Sequence, residues 1–116
     1  AARYDAPIGI VVFNNGHYQA NRLNFSRYRG RMYETNQYVG VNLGHPDIGY
    51  VQLADGYGIE GKRVEEPGEL SAAIGRCKKA MGEGRPYLID VKVARARHIP
   101  GWDMTYYDHF SVLELA

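Results

Sequence analysis

Cysteine is nearly missing from this sequence: Cys77 is the single one among 116 residues. A lone thiol forms no internal disulfide and cannot by itself hold a structural zinc, so a disulfide framework is excluded and a reducing cytoplasmic setting is expected. Cys77 reads as a buried helix residue. An excess of charge of one sign is lacking too. Lys and Arg total 14 against 13 for Asp and Glu, a formal net charge of +1, so no overall field draws the chain to nucleic acid or to an anionic membrane. No apolar run approaches the ~20 residues that span a bilayer. The first residues, Ala1 to Pro7, lack the charged-then-apolar order of a signal peptide, and a soluble protein is expected. Internal repeats and low-complexity linkers are absent as well.

What is present is tyrosine, ten in all, gathered between Tyr4 and Tyr57 and again at Tyr106 and Tyr107. An apolar ring with a polar tip suits a subunit interface or a substrate cleft. Ile8 to Phe13 is a short β-branched run introduced by Pro7 and ended by Asn14-Asn15-Gly16, the pattern of a strand buried on both faces of a parallel sheet. Asp47 to Tyr57 predicts a short helix after Pro46, with Asp47 available as cap or first-turn acid. Ile59 to Val64 predicts a brief strand. From Pro67 to Met81, Leu70, Ala73, Ile74, Cys77 and Met81 recur at helical spacing, and Gly82 and Gly84 stop the helix. Tyr87 to Val93 returns as a strand, with Ile89, Val91 and Val93 alternating with Asp90 and Lys92.

This order of elements implies α/β architecture with parallel strands joined by crossovers. Three parallel strands alone cover both their faces poorly, so the pattern reads as the second half of a doubly wound domain. Ala1 to Ala6 reads as the last turn or two of a helix that starts upstream.

The strongest site signal is Asn14-Asn15-Gly16-His17-Tyr18 at the carboxyl end of the first strand. Ligands of doubly wound sheets collect at that edge, and a helix starting there aims backbone N–H groups at an anion. Paired amides suit a hard cation such as Mg²⁺, which takes oxygen ligands and is commonly shared with substrate phosphates. An Asn-Gly turn without a ligand is the plain alternative.

Val11 to Tyr18, then Leu53-Ala-Asp-Gly-Tyr-Gly58, then Arg85-Pro-Tyr-Leu-Ile-Asp-Val91 together resemble the diphosphate-binding domain of thiamine-diphosphate enzymes of the acetolactate synthase and benzoylformate decarboxylase type. The three blocks stand in the right order and cover most of Ile8 to Val93. The resemblance implies that the side-chain oxygen of Asn15 and the backbone carbonyl of His17 ligate Mg²⁺ bridging the cofactor's diphosphate, while Asn14 and Gly16 shape the loop and Tyr18 joins them among the cofactor-binding residues. In that family the motif opens with Gly-Asp-Gly, and none lies among the residues before Asn14. The aspartate ligand, and the pyrimidine-binding domain whose glutamate activates the cofactor, would therefore come from another polypeptide or the remainder of this one. The expected protein is a homo- or hetero-oligomeric, cytoplasmic enzyme acting on a small 2-oxo acid or related ketone by decarboxylation, carbon–carbon ligation or lysis. No residue here reads as its acid, base or nucleophile.

Other signals rank below this one. Arg22, Arg27, Arg29 and Arg31 interleave with Phe25, Tyr28, Tyr33 and Tyr38, a pattern that can hold single-stranded nucleic acid. The balanced charge and the absence of a nucleic-acid module argue against such a partner. A catalytically empty interaction module that keeps the fold is the other alternative. Gly56-Tyr-Gly-Ile-Glu-Gly61 matches the dinucleotide fingerprint in form, but it closes a helix and opens a strand, the reverse of what the fingerprint needs. His98, Asp103, Asp108 and His109 have no metal-site spacing. Residues 1–93 thus read as a partial cofactor-binding domain, and 94–116 as an aromatic tail packing on the domain or on the active-site entrance.

Overall fold

A computed structural model describes residues 1–44 and 46–93. The expected tail at 94–116, with His98, Asp103, Asp108 and His109, lies outside the described residues. A 3-10 turn at Ala2–Tyr4 stands where the end of a helix was expected, and β1 follows at Gly9–Asn14. Then come α1 (Gln19–Arg27), α2 (Arg31–Thr35), α3 (Tyr50–Gly56), β2 (Glu60–Val64), α4 (Leu70–Gly82) and β3 (Tyr87–Lys92). The strands form one parallel sheet of three in the order β1-β3-β2, with Ile89 facing Val11 on one side and Lys62 on the other.

The last strand is therefore the central one, and its burial follows from that. Tyr87, Leu88, Ile89 and Asp90 are all buried. Tyr87 and Ile89 pack with Val64 against Ala73, Cys77 and Ala80 of α4. Leu88 packs with Ala54 of α3 and Ile59, flanked by Ile10, Val12, Tyr50 and Val51. Successive strand residues point to opposite faces, so α3 and α4 cover opposite sides of the sheet, as the doubly wound expectation requires. The missing side chain at Gly9 of β1 lets α4 lie close: a Cβ there would stand 2.7 Å from the Cys77 sulfur.

Several expectations need correction. Burial of β1 on both faces is not found, because β1 is an edge strand and α4 packs mainly on the central β3; Val11 stays 48% and Phe13 74% exposed. The polar member of the β3 alternation, Asp90, is 1% exposed, since α3 covers that face of the central strand. On α4 it is Ala80 that joins the core, while Ile74 and Met81 sit at its margin. Asp47 caps no helix. α3 begins after Gly49 with no side-chain cap, and the Asp47 carboxylate turns instead to the two cations Lys92 and Arg63. Gly56 ends α3 and Gly58, at φ 71°, turns the chain into β2, so the glycine-rich stretch is the helix stop that its context indicated.

Candidate functional site

The carboxyl end of β1 delivers the chain into a tight turn. Asn14 is the last strand residue, buried, and its carbonyl accepts a hydrogen bond from the Val93 amide at 3.0 Å. Its Oδ1 accepts from the Gly16 amide at 3.1 Å, and Asn15 Oδ1 accepts from the His17 amide at 2.9 Å. These are two overlapping Asx turns, the local geometry for which asparagine is favoured over longer amides. Gly16 adopts φ 64°, a left-handed conformation that costs an L-residue with a Cβ roughly 1–2 kcal/mol. The Asn-Asn-Gly order is thus what this backbone path demands locally.

A second segment, which the sequence reading did not single out, backs the turn. The Leu43 amide donates to the Gly16 carbonyl at 2.8 Å and the Tyr18 amide to the Val41 carbonyl at 3.0 Å. His17 and Asn42 form an antiparallel bridge. Asn42 makes a third Asx turn, its Oδ1 accepting from the Gly44 amide at 3.0 Å. The Asn-Leu-Gly spelling was a signal for that turn, but no local pattern ties residues 41–44 to residues 16–18. Beyond the loop, α1 starts at Gln19, and the Tyr18 carbonyl accepts from the Arg22 amide at 3.0 Å. The structure therefore sets Asn14, Asn15, Gly16, His17 and Tyr18 in one rigid turn at the carboxyl edge, with Tyr18 half exposed.

The donor chemistry fits a hard cation. Asn15 Oδ1 is a neutral amide oxygen of the kind that a hard cation takes. The turn places Asn15 and His17 together at the carboxyl end of β1. Among the described residues no group of three or more His, Cys, Asp or Glu gathers in one place, so a cation here would rely on such neutral oxygens and on its ligand's own charge.

Behind the turn lies a cluster of charge. Lys92 Nζ donates to Asp47 Oδ2 at 3.1 Å and Arg63 Nη2 reaches the same oxygen at 3.5 Å. The Lys92 hydrogen bond, then its charge, then Arg63 hold the Asp47 carboxyl below its ordinary value. Burial pulls the Arg63 guanidinium down, but Glu65 and Asp90 outweigh it and raise the group. Farther out, the Arg22 guanidinium sits 4.8 Å from the Tyr38 ring centre. The arginine and tyrosine segment folds as α1 and α2, with Phe25, Tyr28 and Tyr33 exposed. No helix of the described residues is long and apolar enough to cross a membrane.

A parallel sheet with helices on both faces and a turn of two Asx bonds at its carboxyl edge defines an α/β domain of the doubly wound class. Residues 1–91 match the family model of the thiamine pyrophosphate enzyme, C-terminal TPP binding domain. The chain is 34% identical over 104 residues to the probable chloroplastic acetolactate synthase 2 of Oryza sativa, covering 82% of this chain and 14% of that protein. With the probable acetolactate synthase large subunit of Methanocaldococcus jannaschii the identity is 31%, over 85% of this chain and 15% of the relative. Among solved structures, the thiamine diphosphate-dependent 4-hydroxybenzoylformate decarboxylase of Rhodococcus jostii superposes with a TM-score of 0.65 at 33% identity, over 84% of this chain and 17% of that one. The chain belongs to the thiamine pyrophosphate enzyme C-terminal domain family. It spans about a sixth of the length of these relatives.

Proposed function

We propose that this chain supplies the metal and diphosphate loop of an acetolactate synthase-like enzyme acting on a 2-oxo acid or related ketone. In this reading Asn15 Oδ1 and the His17 carbonyl bind Mg²⁺, Asn14 and Gly16 hold the turn, and Tyr18 closes it. The observation that carries the reading is the pair of overlapping Asx turns around left-handed Gly16 at the carboxyl end of β1. When bound, thiamine diphosphate supplies the nucleophilic carbon and the electron sink for decarboxylation, ligation or lysis at the carbonyl. The residues of this chain bind and orient. They hold the loop's path through the Val41 and Leu43 bonds and leave proton transfer to groups supplied elsewhere.

The remaining ligands, including a Gly-Asp-Gly aspartate and a pyrimidine-binding domain, come in this proposal from the rest of the enzyme, assembled as an oligomer. A cytoplasmic location is part of the same proposal, although the printed name of the rice relative is chloroplastic. Native mass spectrometry of the purified assembly, with and without Mg²⁺ and thiamine diphosphate, tests it. An assembly that gains cofactor mass only when magnesium is present supports the reading. A protein indifferent to both, with all its polypeptides present, refutes it and leaves an interaction module that retains the fold.

A further inference from the structure

Asp90 is a carboxylate in the interior, 1% exposed, and neither of its oxygens has a hydrogen-bond partner. A buried charge of this kind is tolerated only beside an opposite one. Its neighbour across the β2–β3 ladder is Arg63, whose Nη1 lies 4.0 Å from Asp90 Oδ2. The same guanidinium donates through Nε to Glu65 at 2.8 Å and reaches Asp47 through Nη2 at 3.5 Å. Lys92, the ladder partner of Asn14, holds Asp47 from the other side at 3.1 Å. Asp47 in turn forms a bridge with Gly44, the residue next to the Val41 to Leu43 stretch that backs the Gly16 turn. An unbroken chain of charges thus runs from the middle of the sheet to the rear of the candidate loop.

We infer that Asp90, Arg63, Asp47 and Lys92 form an electrostatic tether that positions residues 41–44 against the turn at 14–18. Asp47 and Lys92 are positioning residues: they touch no ligand and act through the Leu43 to Gly16 and Tyr18 to Val41 hydrogen bonds. Lys92 is suited to the task because its strand neighbour is Asn14 itself. The effect on metal binding rests on the proposed role of the loop, whereas the effect on loop order does not.

Two measurements separate the two claims. Hydrogen exchange on the ligand-free protein reads the Tyr18 and Leu43 amides directly. Asp47→Asn and Lys92→Gln each raise exchange there by about three- to ten-fold, the scale of one exposed ion pair or two acting together, while amides of β3 and α4 keep their protection. Asp47→Glu and Lys92→Arg restore it. Because the Lys92–Asp47 pair is open to solvent, added salt raises exchange at those two amides in the unaltered protein and has no further effect in Asp47→Asn. Unchanged exchange at Tyr18 and Leu43, or an equal rise across the whole sheet, overturns the tether. In the assembled enzyme, Mg²⁺ titration at fixed thiamine diphosphate then shows half-saturation at a concentration about three- to ten-fold higher for Asp47→Asn, recovered by Asp47→Glu. A selective rise in exchange in an assembly that binds no Mg²⁺ upholds the tether and refutes the proposed function. Normal exchange in Asp47→Asn, with Mg²⁺ binding intact in the unaltered enzyme, does the reverse.

Discussion

Replacing Gly16 with alanine tests whether the left-handed turn is what the site is built on. Gly16 holds φ 64°, and a Cβ there costs roughly 1–2 kcal/mol. Two bonds resist relaxation: Gly16 donates to Asn14 Oδ1 at 3.1 Å and accepts from Leu43 at 2.8 Å. If the turn stays as it is, the strain appears as lost stability; if it relaxes, ligand binding must restore it. In the second case the affinity for Mg²⁺ and thiamine diphosphate falls by the same free energy, about five- to thirty-fold at 1.4 kcal/mol per factor of ten. Gly58 is the control, since it has φ 71° and nothing within 4 Å of an added Cβ. Gly58→Ala carries the same strain far from the loop. Urea unfolding of both variants, with calorimetric titration of the assembled enzyme, should show a stability loss in Gly58→Ala with unchanged affinity, and in Gly16→Ala a stability loss and an affinity loss that together make up the same strain. An unchanged stability together with an unchanged affinity in Gly16→Ala would refute the claim that the left-handed turn organises the site.

Asn15→Ala removes a proposed ligand together with the Asx bond to His17. Half-saturation by Mg²⁺ should rise at least ten-fold while unfolding midpoints shift little, the lost bond being worth about 1 kcal/mol; titration and urea melts read the two separately. Ile89→Ala, at 1% exposure in the central strand, should cost about 2–5 kcal/mol, a large share of the roughly 5–15 kcal/mol that holds a domain together. A cost below 1 kcal/mol would contradict the packing of α4 on β3. The Asp47 carboxyl is depressed below 3.8, so its contribution is present above that ordinary value and disappears as pH falls through the lower folded value. Exchange at Tyr18 and Leu43 should stay flat from neutral pH to about 4, once corrected for the intrinsic rate, and rise selectively only below it.

The sequence by itself determined the local pieces. A β-branched run ending in Asn14-Asn15-Gly16, an amphipathic repeat from Leu70 to Met81 and a strand at Tyr87 all follow from short-range sterics and periodicity, and each stands where it was read. The Asx turns were legible for the same reason: asparagine and glycine two residues apart specify their own hydrogen bond. The tertiary structure alone decided the sheet order β1-β3-β2, because nothing in a strand's own residues says which strand lies between the other two. That order buried Asp90 along with its apolar neighbours and left Phe13 exposed at an edge that a continuous apolar run had marked as interior. It also set Lys92 beside Asn14 and brought Asp47 and residues 41–43 behind the loop. Contacts between segments distant along the chain depend on how α3 and α4 cover the sheet, and no local pattern encodes that arrangement.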